Sequence, residues 1–90
     1  MQDEESLVWR AKEGDQQAFA QLYETHFERV YRYVAFKIGD KTEAEDMTQQ
    51  VFLSAYRSFS TFQWKGTPVS AGFFRIAHNL VVDYLRRKSK

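Results

Sequence analysis

Aromatic and basic side chains lie close together late in the chain, where they could bind a nucleic acid. Phe62, Trp64 and Lys65 fall in the segment FSTFQWKGTP, which is rich in turn-forming residues and contains the one proline. Aromatic rings beside a cation commonly stack on unpaired bases, and flipped bases are held in similar pockets. The alternative is that these rings fold back onto the domain as a lid.

The predicted helix after this loop carries a polar face of the same kind. Arg75, Asn79 and Arg86 share one side of it with Val82, and His78 lies at the margin. The opposite side, which we predict to be buried, carries Phe73, Ile76, Ala77, Leu80 and Tyr84. Arginines and an asparagine on one helical face can contact phosphates and base edges together. The alternative is a solvated face whose basic residues favour the helix C-terminus.

A leucine in the middle of a polar helical face indicates a second surface. On a wheel of about 100° per residue, one helix turns an apolar stripe inward: Ala44, Met47, Val51 and Ala55. The opposite side carries Asp46, Gln49, Gln50, Leu53 and Arg57. An apolar centre with a polar rim has the form of a small protein interface, although a single exposed leucine is also common.

The sequence carries no recognisable catalytic or metal-binding pattern. It has no cysteine, which excludes disulfides, thiolate metal sites and thiol nucleophiles. His26 and His78 are far apart, and no P-loop, dinucleotide fingerprint or HExxH motif occurs. We therefore predict that the protein is not an enzyme, that it needs no metal or cofactor, and that each histidine is a surface or packing residue.

Length and composition predict one small folded domain. The chain has 90 residues, of which 43% are hydrophobic and 17% aromatic. Its longest uncharged run is far shorter than the roughly 20 apolar residues of a membrane span, and its acidic start, MQDEESLVWRAKEG, does not resemble a signal peptide. We expect a cytoplasmic protein that does not insert into membranes.

The net charge of +1 arises from two oppositely charged halves. Residues 1–50 hold eleven acids and six bases, whereas residues 51–90 hold seven bases and a single acid, Asp83. Such a split suggests one surface for a polyanion and another for a different partner. The alternative is that the two halves attract each other within the fold.

Helical periodicity dominates the chain and predicts an all-α bundle of about four helices. The first helix covers about Ser6 to Glu13. Asp15 caps the second, which ends at about Ile38 before Gly39. Thr42 and Glu45 form a capping box for the third, which ends near Ser58, and the last helix covers about Ala71 to Lys88.

Three segments resemble region 2 of bacterial extracytoplasmic-function (ECF) sigma factors, the compact branch of the sigma-70 family. They are GDQQAFAQLYETHFERVYRYV, AEDMTQQVFLSAYRSF and FFRIAHNLVVDYLRR, in this order. The resemblance covers about Leu7 to Lys88. It implies that residues 1–90 form a single region 2 domain that binds core RNA polymerase and recognises and helps melt the −10 promoter element.

The resemblance also implies roles for residues and partners. In the family, the helix that AEDMTQQVF resembles docks on a coiled coil in the largest polymerase subunit, which would explain the Leu53 surface. Phe62 resembles the start of the loop that reads the −10 element, and Asn79 resembles the asparagine that helps hold a flipped non-template base. Trp64 and Lys65 match no fixed family position, so their roles rest on chemistry. An anti-sigma protein is a further expected partner.

The sequence departs from the family pattern in three places. Gln50 stands where glutamate is usual, so the polymerase contact keeps hydrogen bonding but loses a charge. Gly72 stands where tryptophan is usual, which removes packing under the loop and can delay the helix by a turn. The chain ends after Lys90, so we expect the −35-binding domain to be absent, in either an isolated domain or a naturally reduced protein.

Two other functions stay open from the sequence. An interaction module could bind polymerase or an anti-sigma protein without recognising DNA, and Gly72 favours it. A generic single-strand binder would leave the exposed surface around Leu53 without a partner.

Overall fold

Four helices make up the domain in the computed structural model, which describes residues 3–61 and 68–89. They are α1 (Glu4–Lys12), α2 (Gln16–Ile38), α3 (Lys41–Ser58) and α4 (Val69–Lys88). The described residues contain no strand. The prediction of an all-α bundle of four helices is confirmed. No helix in this part of the chain combines the length and apolar character that a membrane span requires.

The two ends of α2 follow from single residues in the sequence. Asp15 is the N-cap, and its Oδ1 accepts hydrogen bonds from the backbone N–H groups of Gln17 at 3.0 Å and Ala18 at 3.2 Å. Gly39 ends the helix with φ of 76°, a left-handed conformation that glycine adopts without strain. Both predictions are confirmed.

The predicted start of α3 is wrong by a few residues. Asp40, rather than Thr42, is the N-cap, and its carboxylate accepts a hydrogen bond from the N–H of Glu43 at 3.0 Å. Aspartate caps at least as well as threonine, and Asp40 directly follows the glycine that ends α2. The two helices are therefore joined by the shortest connection that their caps allow.

The predicted start of α4 is also wrong. The helix begins at Val69, directly after Pro68, and continues through Gly72. A glycine within a helix costs about 1 kcal/mol relative to alanine. Val69 and Phe73 on either side are 2% and 0% exposed, and burying two such side chains outweighs that cost.

The core lies between α2, α3 and α4, and α1 packs on α2. Phe52 of α3 meets Phe73 of α4 at its centre, with ring centroids 4.7 Å apart. The predicted apolar stripe of α3 is buried as expected. Thr48 is buried beside it, and its hydroxyl donates to the Ala44 carbonyl at 2.7 Å, which satisfies this polar group within its own helix.

The buried face of α4 is rotated from the predicted one. Phe73 and Ala77 are buried as expected, and Gly72 and Val81 are buried with them. Three residues predicted to be buried are only half-buried: Ile76, Leu80 and Tyr84. Val82, predicted on the outer side, is half-buried as well. The helix packs against both α2 and α3, so its buried sector lies between two neighbours rather than facing one.

His26 is a packing residue, as predicted. It is 6% exposed, and its ring lies 5.5 Å from the Phe73 ring between centroids. Its Nε2 lies 2.8 Å from a carboxylate oxygen of Glu4. This contact ties α1 to the core, because Glu4 is the first residue of that helix.

Candidate functional site

The outer side of α3 presents the residues that the sequence assigns to polymerase binding. Asp46, Gln49, Gln50, Leu53 and Arg57 are all exposed. Leu53 is 48% exposed, although its chain neighbour Phe52 is buried in the core. We call these five residues the Leu53 face. It has an acid at its N-terminal end and an arginine at its C-terminal end.

Two grooves flank Leu53, which forms the ridge between them. The groove towards α2 has a volume of about 400 Å³ and is lined by Phe19, Tyr23, Gln49, Phe52, Leu53 and Tyr56. The groove towards α4 has a volume of about 540 Å³ and is lined by Gln50, Leu53, Ser54, Arg57, Ser58 and Leu80. An apolar ridge between two grooves suits the side chains of another helix.

Tyr56 belongs to this surface, and the sequence reasoning missed it. The side chain is 45% exposed, and its ring packs edge-on against Phe19 with centroids 5.1 Å apart. It lies three residues after Leu53, a spacing that places both on one side of a helix. The three-residue spacing from Leu53 could therefore have predicted that Tyr56 belongs to the same surface.

A third groove, of about 350 Å³, lies between α3 and α4 and is more acidic. Its lining is Glu43, Asp46, Met47, Gln50, Leu80, Asp83, Tyr84 and Arg87. The Tyr84 hydroxyl donates a hydrogen bond to the Glu43 carboxylate. Lys88 Nζ lies 5.2 Å from the Tyr84 ring centroid, and its hydrogen bond with Tyr84 raises the pKa of this lysine. The described residues contain no group of acids and histidines arranged to hold a metal ion.

The outer side of α4 presents the residues assigned to DNA. Arg75, Asn79 and Arg86 are exposed. The spacing from Arg75 to Asn79 is four residues, which places both side chains on one side of the helix. His78 is exposed as well, and its Nδ1 lies 3.2 Å from the hydroxyl of Tyr33 on α2.

The remaining predicted DNA residues, Phe62, Trp64 and Lys65, lie outside the described residues. Two residues near the ends of that segment are buried. Phe59 is 2% exposed, with its ring 5.4 Å from that of Phe19. Val69 is also 2% exposed.

The sequence has close relatives among curated proteins. Residues 22–90 match the family described as sigma-70 region 2. The ECF RNA polymerase sigma factor BldN of Streptomyces coelicolor is 41% identical over 80 residues, which cover 89% of this chain and 30% of the relative. The ECF RNA polymerase sigma factor SigW of Bacillus subtilis is 34% identical over 81 residues, covering 90% and 43%. The chain thus spans less than half the length of either relative.

Two solved structures share the fold. In the complex of RsbN with BldN, the matching chain has a TM-score of 0.80 and 42% identity, covering 89% of this chain and 58% of that one. An engineered region 2 of sigmaE, solved in complex with GTAAAA, has a TM-score of 0.86 and 28% identity, covering 98% and 90%. The curated relatives are transcription initiation factors and not enzymes. This chain belongs to the sigma-70 region 2 family, in the branch of the ECF sigma factors.

Proposed function

We propose that this domain binds core RNA polymerase through the Leu53 face and recognises the promoter −10 element through α4 and the segment before it. The observation that carries the proposal is a 48% exposed leucine between two grooves, within a polar rim, on a helix of a sigma-70 region 2 domain. A solvent-facing helix gains nothing for its own fold from such a side chain, whereas a partner helix gains an apolar anchor.

The Leu53 face also fixes the orientation of a helical partner. Asp46 and Arg57 carry opposite charges and lie about 16 Å apart along the helix axis. A partner helix with complementary charges binds in one direction only, because the reverse direction places like charges together. Gln50 offers both a donor and an acceptor at the rim, so it can hydrogen-bond a polymerase side chain without contributing charge.

The DNA half of the proposal rests on α4 and on the relative solved with GTAAAA, whose region 2 matches 98% of this chain. Asn79 has the donor and acceptor that a base edge requires, and Arg75 and Arg86 can neutralise phosphates on either side of it. Phe62, Trp64 and Lys65 complete the site as rings and a cation that contact unpaired bases.

Promoter opening then follows from differential binding. A protein that binds the single strand more tightly than the duplex shifts the local equilibrium towards the melted state. Stacking contributes roughly 1–3 kcal/mol per base, which is comparable with the cost of unstacking a base from the duplex. A few captured non-template bases are therefore enough, and no catalytic group is required. The protein acts in the cytoplasm, where polymerase and promoter DNA meet.

An anti-sigma protein is proposed as a competing partner. The supporting observation is the solved complex in which BldN is bound to a second protein, RsbN. Occupation of the Leu53 face by such a protein would exclude polymerase, because both partners would need the same exposed leucine.

The test is binding of the chain to bacterial core RNA polymerase, comparing Leu53→Asp with Leu85→Asp. Leu85 is a matched control, because it is 43% exposed and lies on α4. We expect Leu53→Asp to weaken binding by a factor of about 30 or more, as for a central interface residue, and Leu85→Asp to bind like the unaltered chain. Equal binding by all three proteins would refute the assignment of this face.

The DNA half has its own test. We expect the chain to select −10-like single strands from a random pool and Asn79→Ala to lose the selected preference, since the base-reading side chain is gone. Tight polymerase binding with no DNA affinity, alone or in the polymerase complex, would instead identify an interaction module.

A further inference from the structure

The C-terminal half of α2 carries an aromatic ring and cations that the proposed function does not use. Phe36 is 85% exposed, more than any other large apolar side chain in the described residues. Arg29 and Arg32 precede it by seven and four residues, Tyr33 precedes it by three, and Lys37 follows it. These spacings place Arg29, Arg32 and Tyr33 on the same side of the helix as Phe36. Lys37 lies four residues after Tyr33, beside its ring. We call the five residues the Phe36 face.

This face continues directly into the outer side of α4. The Tyr33 hydroxyl lies 3.2 Å from His78 Nδ1, and the Tyr33 ring packs edge-on against Phe74, with centroids 5.5 Å apart. Lys37 Nζ lies 5.8 Å from the Tyr33 ring centroid. His78 directly precedes Asn79 in the chain. Tyr33 therefore joins the aromatic and basic residues of α2 to the residues proposed to contact bases.

The charge of the Phe36 face is positive. Glu28 is the nearest acid along the helix, and it pairs with Arg32 at 3.3 Å, with both side chains exposed. Asp40, four residues after Phe36, is engaged as the N-cap of α3. Arg29 and Lys37 leave the face with net positive charge, although it belongs to the acidic half of the sequence.

We propose that the Phe36 face is a second contact surface for the DNA strand that α4 holds, a proposal that rests on the DNA-binding role of α4. Phe36 stacks on an unpaired base, and Arg29 and Lys37 neutralise phosphates next to it. A ring among cations that continues an existing basic surface is the arrangement found in single-strand binding grooves.

The chemistry of the face argues against two other occupants. A second copy of the chain, related by two-fold symmetry, would place the same cations opposite one another. A protein interface centred on Phe36 would contain three cations of the face, and its other ring, Tyr33, already packs against Phe74. Interface cores are instead depleted of charge.

The test measures binding of the chain to a labelled single strand long enough to cross both faces, over a range of salt concentrations. The variants are Phe36→Ala and Lys37→Gln, with Asn79→Ala to report on the proposed function. Trp9→Ala is the matched control, since Trp9 is 63% exposed with Lys12 Nζ 5.8 Å from its ring. Trp9 is remote from the Phe36 face. Its neighbour Arg10 is bound to Asp15 at the start of α2, and this end of α2 lies about 30 Å along the helix axis from Phe36.

We expect Phe36→Ala to weaken binding at least about fivefold, the lower end of one base–aromatic stack. Lys37→Gln should reduce the slope of log affinity against log salt by about 0.7, as for one single-strand phosphate contact. Trp9→Ala should bind like the unaltered chain. The exposure of Phe36 means that its removal leaves the core intact, which a thermal melt will verify.

Three outcomes would overturn the proposal. Unchanged affinity in Phe36→Ala and Lys37→Gln, with weakened binding in Asn79→Ala, would overturn it and leave the proposed function standing. A change of association state in Phe36→Ala with unchanged DNA affinity would assign the face to a second copy of the chain. Absence of any DNA binding by the unaltered chain would refute both this proposal and the DNA half of the proposed function.

Discussion

Arg10 donates two hydrogen bonds to one carboxylate oxygen of Asp15, from Nε at 3.0 Å and from Nη2 at 2.8 Å. The other oxygen of the same carboxylate caps α2. A single side chain thus fixes both the start of α2 and the position of α1 against it. The hydrogen bonds from Arg10, followed by that from the N–H of Ala18, lower the pKa of Asp15 from its ordinary value of 3.8.

The stability of the domain should therefore depend on the ionisation of Asp15. Because its pKa is lower in the folded state than in the unfolded state, its contribution is present above pH 3.8 and is lost as the pH falls below that value. We expect Asp15→Asn to lower the melting temperature at pH 7. Below the folded-state pKa, where Asp15 is itself neutral, the variant and the unaltered chain should have the same melting temperature. Thermal melts of both proteins across this pH range measure the difference.

Asp3→Asn is the control for this prediction. Asp3 caps α1 through a 2.7 Å hydrogen bond from the N–H of Ser6, and asparagine caps about as well as aspartate. We expect a small change at pH 7. A melting temperature difference for Asp15→Asn that is as large in acid as at pH 7 would contradict the role given to its charge.

His26 should contribute to stability chiefly by packing. His26→Ala removes a ring that fills space beside Phe73 and should cost about 2–3 kcal/mol of unfolding free energy, as for other large-to-small changes in a core. Glu4→Gln keeps a hydrogen-bonding partner for the ring and should cost less than about 1 kcal/mol, since the carboxylate is partly exposed. Urea unfolding of both variants measures the two costs, and equal losses would show that the polar contact matters more than the packing.

Two adjacent residues of α3, Phe52 and Leu53, should differ in how much their substitution lowers the free energy of unfolding. Phe52 is 2% exposed, and Phe52→Ala should lower the free energy of unfolding by about 3–5 kcal/mol. Leu53→Ala should change it by less than about 1 kcal/mol, because much of this side chain already contacts water. Denaturant titration separates the two effects. A large loss of stability in Leu53→Ala would mean that any loss of polymerase binding on changing Leu53 reflects unfolding.

The basic residues of α4 should each contribute one phosphate contact to DNA binding. Arg75→Gln and Arg86→Gln should each flatten the salt dependence of single-strand affinity by about 0.7 in the log–log slope. Lys12→Gln, on α1, is the charge-matched control and should leave the slope unchanged. Slopes measured by fluorescence anisotropy decide between phosphate contact and a solvated helix face, because the latter predicts no change for any of the three.

The sequence correctly predicted the features that depend on local interactions within one helix. A strong N-cap at Asp15 and a left-handed glycine at Gly39 bound α2, and helical periodicity placed Leu53 in water. The start of α3 was misplaced because Asp40 and Thr42 are both able to cap a helix, and only the packed structure selects one. We expected Gly72 to delay the start of α4. It does not, because burial of Val69 and Phe73 exceeds the local cost of the glycine.

Contacts between helices account for what the sequence did not show. Tyr33 and His78 are 45 residues apart in the chain and meet only because α2 packs on α4. The groove that contains Tyr56 needs Phe19 from another helix as its second wall. Helical periodicity describes one helix at a time, so it cannot predict a surface built from two.

The close contact of Phe52 with Phe73 connects the two surfaces of the proposed function. These rings join the helix that carries the Leu53 face to the helix that carries Asn79. On the proposed function, the thickness of the core at this point sets the offset between polymerase and the captured bases. A change such as Phe73→Leu, which removes part of this contact, would then alter that offset while each partner still bound its own surface.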